Sequence, residues 1–327
     1  MRRAVSLVGL AVALTLTAGA ANAKTYTLTL CGASPGGLWS LLGAGVDSAM
    51  KAAYPGSTVT YQTSGGGFAN VGLLRAKKCE LAIVHDAEAK LALEGKKPFK
   101  QAAGDLRAIA VLYNWAPMQF VMNKDFAEEH GIASFEDIVA KKAPVRIGVN
   151  RRGNVVSHVI ESMFQAAGAS FDDIESWGGK VVFAASKEMS GLISDRRIDA
   201  FGNGVFVRHR SVRQPAEAVP LTLLNVSDAT IDKVRADWEI GRYTVKGGSY
   251  DWAPDDVHTV ALSAQLVASS SLSDEDAYNI AKALIDNVGK VSGVHKAMKN
   301  LDAKLMAGSS TPYHAGAAKA FKEAGLQ

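Results

Sequence analysis

The chain has only two cysteines in 327 residues, and its seven histidines are scattered with no pair at the spacing of a helical zinc site. A metal centre is therefore not expected, and no cofactor motif stands out. Charge of one sign is also scarce: 36 basic side chains face 32 acidic ones. Loss of the first 23 residues would remove Arg2 and Arg3 and leave a net charge of +2. So small an excess gives no support to nucleic-acid binding. Beyond the N-terminus no segment approaches the roughly 20 apolar residues that a membrane helix needs. Low-complexity linkers and short repeats are missing too, which excludes lobes strung on a tether.

What is present begins with a leader. Arg2 and Arg3 precede an uncharged run, Ala4 to Ala18, and small residues ending in Ala21-Asn22-Ala23. This pattern predicts a secretory signal peptide over 1–23, removed after Ala23, and a periplasmic mature protein. No cysteine follows the run closely enough for a lipid anchor. Cys31 ends one predicted strand and Cys79 begins another; parallel neighbours would hold them at opposite ends of a sheet, so the expectation is that they do not pair.

About 300 residues exceed one ordinary hydrophobic core and predict two lobes. Strand and helix patterns alternate: strand Tyr26–Cys31, helix Leu38–Ala53, strand Val59–Gln62, helix Phe68–Lys77, strand Leu81–Val84. Such an order predicts a parallel sheet with helices on both faces. Two strands, Arg107–Tyr113 and Met118–Asn123, are read as broken by Asn114-Trp115-Ala116-Pro117, a first crossing between lobes. A second series follows, with strands at 145–149, 180–183 and 200–202, helices at 155–167 and 187–194, and a long apolar strand at 257–267. The predicted fold class is α/β, two lobes with parallel-dominated sheets joined by hinge strands around a ligand cleft. Lobe I is assigned to 24–115 plus 226–327 and lobe II to 116–225.

In open parallel sheets ligands sit beyond the carboxyl ends of the strands. Three loops fit that position. The first, Cys31 to Trp39, has glycines for close backbone approach, Ser34 as a hydrogen-bonding group and Trp39 as a flat wall. The second, Thr63 to Asn70, contains Ser64-Gly65-Gly66-Gly67, whose amides suit a negative group. The third holds Asn150, Arg151, Arg152, Gly153 and Asn154 at a helix start, where dipole and guanidinium groups favour a carboxylate. Each could be an ordinary glycine-rich turn; their equivalent topological positions favour a site. His85 and Asp86 follow a buried strand and are placed at the cleft, whereas His158 and His209 are read as surface or packing residues. Gly32-Ala33-Ser34-Pro35-Gly36 matches a nucleophile elbow in form, but it follows the first strand with no oxyanion loop before it. Ser48-Ala49-Met50-Lys51 lacks the companion motifs of a serine–lysine acylase.

The order and spacing of these blocks resemble the TAXI family, solute receptors of tripartite ATP-independent periplasmic (TRAP) transporters. The blocks are Gly32 to Gly43, Thr63 to Asn70, Leu81-Ala82-Ile83-Val84, Leu106 to Tyr113, Asp199-Ala200-Phe201, Gly247-Gly248-Ser249-Tyr250 and Pro312 to Ala317. The resemblance implies a type II periplasmic-binding fold, no catalysis, a monomer, a TRAP permease as partner, and glutamate, 2-oxoglutarate or a related anion as ligand. It adds Gly202, Asn203 and Gly204 to the implied ligand contacts. Three departures bear on the ligand: His85 stands where the family usually has Gln, Arg151 and Arg152 replace a Pro-Gly-Ser-Gly type loop, and Gly202-Asn203-Gly204-Val205 replaces an aromatic and Gly-Gly run. The alternatives are a periplasmic hydrolase using Ser34 and a binding protein that serves a sensor.

Overall fold

A computed structural model describes residues 24–35 and 37–327; the predicted signal peptide lies outside them. The chain opens with β1 (Thr27–Cys31), α1 (Leu38–Ala53), β2 (Thr58–Gln62), α2 (Gly67–Arg75), β3 (Leu81–His85) and α3 (Asp86–Glu94). Strand β1 pairs in parallel with both β2 and β3. The apolar stripe of α1, with Leu42, Val46, Ala49 and Met50 fully buried, covers one face. Helix α2 packs against β3 on the other, around Val71 and Leu74.

Next comes β4 (Leu106–Asn123), one continuous strand where a break was expected at 114–117. Its first part pairs antiparallel with β10 (Val257–Ser269) as far as Pro117 opposite Ala261. From Met118 it pairs instead with β7 (Ala200–Gly204) and β8 (Leu221–Leu223). Pro117 cannot donate to a ladder. It sits where the strand changes neighbours, and its carbonyl accepts from Val205 N at 3.2 Å. The proline that suggested a loop is thus tolerated at a seam.

The intervening elements are α4 (Lys124–Glu129), α5 (Phe135–Ala140), β5 (Arg146–Gly148), α6 (Val155–Ala167), α7 (Phe171–Ser176), β6 (Lys180–Val182) and α8 (Ser186–Ser194), with α9 (Arg210–Arg213) after β7. Strand β5 pairs in parallel with β6 and β7. Then α10 (Asp228–Trp238) packs on α6, and β9 (Gly241–Val245) pairs antiparallel with the start of β10. The chain closes with α11 (Asp274–Asp286), α12 (Val288–Ser292), α13 (Ala303–Met306) and α14 (Ala315–Glu323). Parallel strands form the two flanks, and antiparallel β4 and β10 run between them in the order β2-β1-β3-β10-β4-β7-β5-β6. This is a two-lobe α/β fold joined by strands. Among the described residues no helix is long and apolar enough to cross a membrane.

The cysteine expectation is overturned. Cys31 and Cys79 form a disulfide with Cα atoms 5.9 Å apart. Register pairs Cys31 with Ala82, so a straight extension of β3 would carry Cys79 away from it. Cys79 instead precedes β3 in the turn after α2, where Lys77 takes a positive φ of 54°. The turn folds back over the sheet face covered by α2, and both cysteines are buried there with Val71 and Leu74.

Candidate functional site

The first loop is built by its neighbour strand. Tyr61 of β2 lies against Gly32 and Gly43, where any Cβ would collide with its ring, and its hydroxyl accepts from Ala33 N at 2.6 Å. Gly32 N donates to Gln62 O at 2.9 Å. Two amides expected to face a ligand are therefore occupied within the protein. Ser34 is exposed on the turn.

The glycine turn is similarly filled. Ser64 Oγ lies 2.5 Å from both Gly32 O and Asn70 Oδ1 and accepts from Gly66 N at 3.0 Å. With a single proton the hydroxyl serves one of those oxygens at a time. Gly67 needs to be glycine because the Glu88 carboxylate occupies the space of its Cβ. Glu88 is buried, accepts from His85 N at 2.9 Å and lies 3.2 Å from His85 Nδ1. The negative group beside Gly65-Gly66-Gly67 is thus one of the protein's own.

His85 ends β3 as the capping residue of α3. Its ring packs on Trp39 at 4.8 Å and its Nε2 lies 3.4 Å from Tyr113 OH, which in turn accepts from Trp39 Nε1 at 3.0 Å. Burial pushes the Tyr113 hydroxyl well above the ordinary tyrosine range. Asp86 is buried at the first turn of α3; its oxygens accept from Ala87 N at 2.9 Å and Ser263 N at 3.2 Å. Burial raises its pKa to about 7, partly offset by the His85 charge and these amide bonds. A carboxyl poised there can donate to an anion when protonated or pair with a cation when ionised.

Asn150 anchors the third loop, with φ of 72°. Its Oδ1 accepts from Arg151 N at 2.8 Å and its Nδ2 donates to Asn203 Oδ1 at 3.0 Å. Asn203 reaches on to Ser211 Oγ at 3.4 Å. Asn154 caps α6 by accepting from Val156 N at 2.9 Å, and Gly153 takes φ of 73°. Arg152 lies with its guanidinium 3.8 Å from the Phe183 ring centre, while Arg151 is exposed. The strand expected over 200–202 runs on to Gly204, so Asn203 and Gly204 join Gly202 in β7. A Cβ on Gly202 would meet Ile160 and Phe120; one on Gly204 would meet Met118, Val156 and Leu262.

Trp39, Ser64, Gly67, His85 and Asp86 therefore gather around the ends of β1 and β3, and Asn150, Asn154 and Asn203 around the ends of β5 and β7. The two groups meet where Phe68, after the glycine turn, packs edge-on against His158 of α6 at 5.6 Å. Glu88, Tyr113, Tyr61 and Ser263 were missed in the sequence. Glu88 alone carried a local signal, lying three residues after a helix-capping position.

Two structures show the same fold. PhnD1 from Prochlorococcus marinus in complex with methylphosphonate aligns with TM-score 0.57 and 10% identity, covering 92% of this chain and 99% of that one. MatC from Rhodopseudomonas palustris with bound malate aligns with TM-score 0.52 and 12% identity, covering 84% and 88%. No curated protein matches the sequence. Residues 30–325 match the NMT1-like family.

Proposed function

The chain belongs to the NMT1-like family, and we propose that it is a periplasmic solute-binding protein of the TAXI class that takes up a small organic carboxylate and passes it to a TRAP permease without catalysis. The observation that carries this reading is the pair of polar groups at strand ends in two lobes, Trp39, His85 and Asp86 on one and Asn150 with Arg151 on the other, joined at Phe68 and His158. The bound molecules in the two structures of similar fold, methylphosphonate and malate, are both anions. We take lobe I as 24–115 plus 226–327 and lobe II as 116–225.

Because the amides of Gly32, Ala33 and Gly66 have internal partners, recognition of the carboxylate falls to side chains. Protonated Asp86, His85 and the free guanidinium of Arg151 supply donors, Ser34 and the Ser64–Gly67 turn line the first lobe, and Trp39 gives an apolar wall. Asn154 and Gly153 shape the arginine loop, and Gly202-Asn203-Gly204 hold Asn150 in place. Closure over the ligand removes water and strengthens charge-assisted bonds.

A thermal-shift series with glutamate, 2-oxoglutarate, succinate and malate tests the reading, since a solute bound only by the folded state raises Tm. Stabilisation by one of these acids is expected. Replacing Arg151 and Arg152 together with Ala should weaken that acid by roughly tenfold or more in calorimetry, because charged hydrogen bonds contribute about 1.5–3 kcal/mol each. An affinity unchanged in the double variant would remove both arginines from the site.

A further inference from the structure

Three polar side chains, Asn150, Asn203 and Ser211, lie buried from the third loop to α9 and form a row that ends on His209. Asn150 Nδ2 donates to Asn203 Oδ1 at 3.0 Å, Asn203 Nδ2 donates to Ser211 Oγ at 3.4 Å, and Ser211 Oγ lies 2.8 Å from His209 Nδ1. Two backbone amides, which can only donate, fix the direction of every bond in the row. At one end Arg151 N donates to Asn150 Oδ1 at 2.8 Å, so the Asn150 amide nitrogen faces Asn203 and that of Asn203 faces Ser211. At the other end Ser211 N donates to His209 Nδ1 at 3.2 Å. That ring nitrogen therefore carries a lone pair, the neutral ring keeps its proton on Nε2, and the Ser211 hydroxyl donates to the ring.

A proton on Nδ1 opposes the whole row. The charged ring presents N–H to the N–H of Ser211, so His209 can no longer cap α9 and the Ser211 hydroxyl loses the atom to which it donates. Asn203 is fully buried, and its Nδ2 finds no other acceptor among the described residues, so a displaced Ser211 leaves a buried donor unsatisfied. Asn150 in turn holds a left-handed backbone, φ 72°, which asparagine adopts with local hydrogen-bond support. The surroundings of His209 favour the neutral ring. Phe206 packs on His209 at 4.9 Å and on His295 at 5.3 Å, and burial first and the His295 charge second hold His209 below the usual histidine range. His295 uses its own Nδ1 to accept from Ala297 N at 3.1 Å. The charged side chains nearby are exposed and none bonds the ring: Arg208, Arg210, Arg213 and Glu217 on the same segment, Lys187 and Glu188 on α8, and Lys296 beside His295.

We propose that His209 is a positioning residue for the third loop: its neutral imidazole, acting through Ser211 and Asn203, holds Asn150 and Arg151 in place, and protonation of the ring releases them. The hold is complete above the ordinary histidine range and is lost as pH falls below it, because the neutral ring is the native form. Acid thus slackens the segment whose arginine is assigned to the solute carboxylate. That the loop meets solute rests on the transport reading above; the row from His209 to Arg151 does not.

The test follows the isotope-labelled mature chain by NMR, without solute, from about pH 8 to about pH 5. The ring nitrogens of His209 should report the Nε2–H tautomer at neutral pH, and the backbone amide of Arg151 should shift along the same curve on which the ring takes up its proton. Ser211→Ala keeps the capping amide and removes the hydroxyl, so His209 should still titrate while the Arg151 shift is lost. His209→Gln should make Arg151 insensitive to pH, and His158→Gln, which removes the histidine of α6, should leave the coupling intact. A purely structural His209 would not tie Arg151 to the titration of its ring. An Nδ1–H tautomer, a ring that stays neutral until the protein unfolds, an Arg151 amide that ignores the His209 curve, or a coupling that survives Ser211→Ala would each overturn the proposal. The first three outcomes are read on the unaltered chain, so a variant that fails to fold leaves them decisive. Failure of the solute titration would not alter any of them.

Discussion

At the scale of single residues, the cleft is governed by carboxyl groups whose positions are set by backbone amides. Asp86 and Glu88 both lie in the first turn of α3, where the helix dipole favours negative charge, yet Asp86 is buried enough for desolvation to prevail. Its folded pKa of about 7 exceeds the unfolded value of 3.8. The native state therefore holds the proton more tightly, and its contribution is complete below the unfolded pKa and lost as pH rises toward 7. Asp86→Asn should gain stability relative to the parent across that window, on the order of a few kcal/mol, and then level off. Parallel Tm-against-pH curves for the two proteins would show that Asp86 is not the titrating group.

At the scale of elements, the disulfide fastens the turn after α2 to the end of β1, directly before the first loop. Closing a loop of 48 residues restricts the unfolded chain and is worth about 4 kcal/mol in the chain-entropy treatment. Cys31→Ala with Cys79→Ala should lower Tm and the urea midpoint accordingly, with little change in far-UV dichroism. An equal midpoint under reducing and non-reducing conditions would indicate that the bridge does not form. Helix starts follow the same local logic elsewhere: Ser134, Ser170 and Ser273 each accept from the amide three residues on.

For the whole molecule, two aromatic contacts join elements that are remote in sequence. Phe68 meets His158, and Phe206 meets His295 at 5.3 Å. The neighbouring His209 is held below the usual histidine range by burial and by His295, so its Nδ1 stays available to accept from Ser211 N. Loss of both aromatic contacts in Phe68→Ala, Phe206→Ala should favour an open arrangement, seen as a larger radius of gyration by small-angle scattering without solute. An unchanged radius would mean that other contacts, such as the packing of α10 on α6, hold the arrangement without these rings.

Periodicity by itself determined most of the local structure. The spacing over 38–53 and 155–167 coincides with α1 and α6, and the strand-helix alternation led to the α/β class. These patterns are legible because each reflects one face buried against a core. The continuity of β4, the pairing of Cys31 with Cys79, the extension of β7 to Gly204 and the Glu88 carboxylate beside Gly67 were decided only by tertiary structure. Each depends on which distant segment supplies a partner for an amide, a thiol or an empty space. A linear reading can say that such a partner is needed, but the identity of the partner is fixed only when the sheet brings remote residues into register.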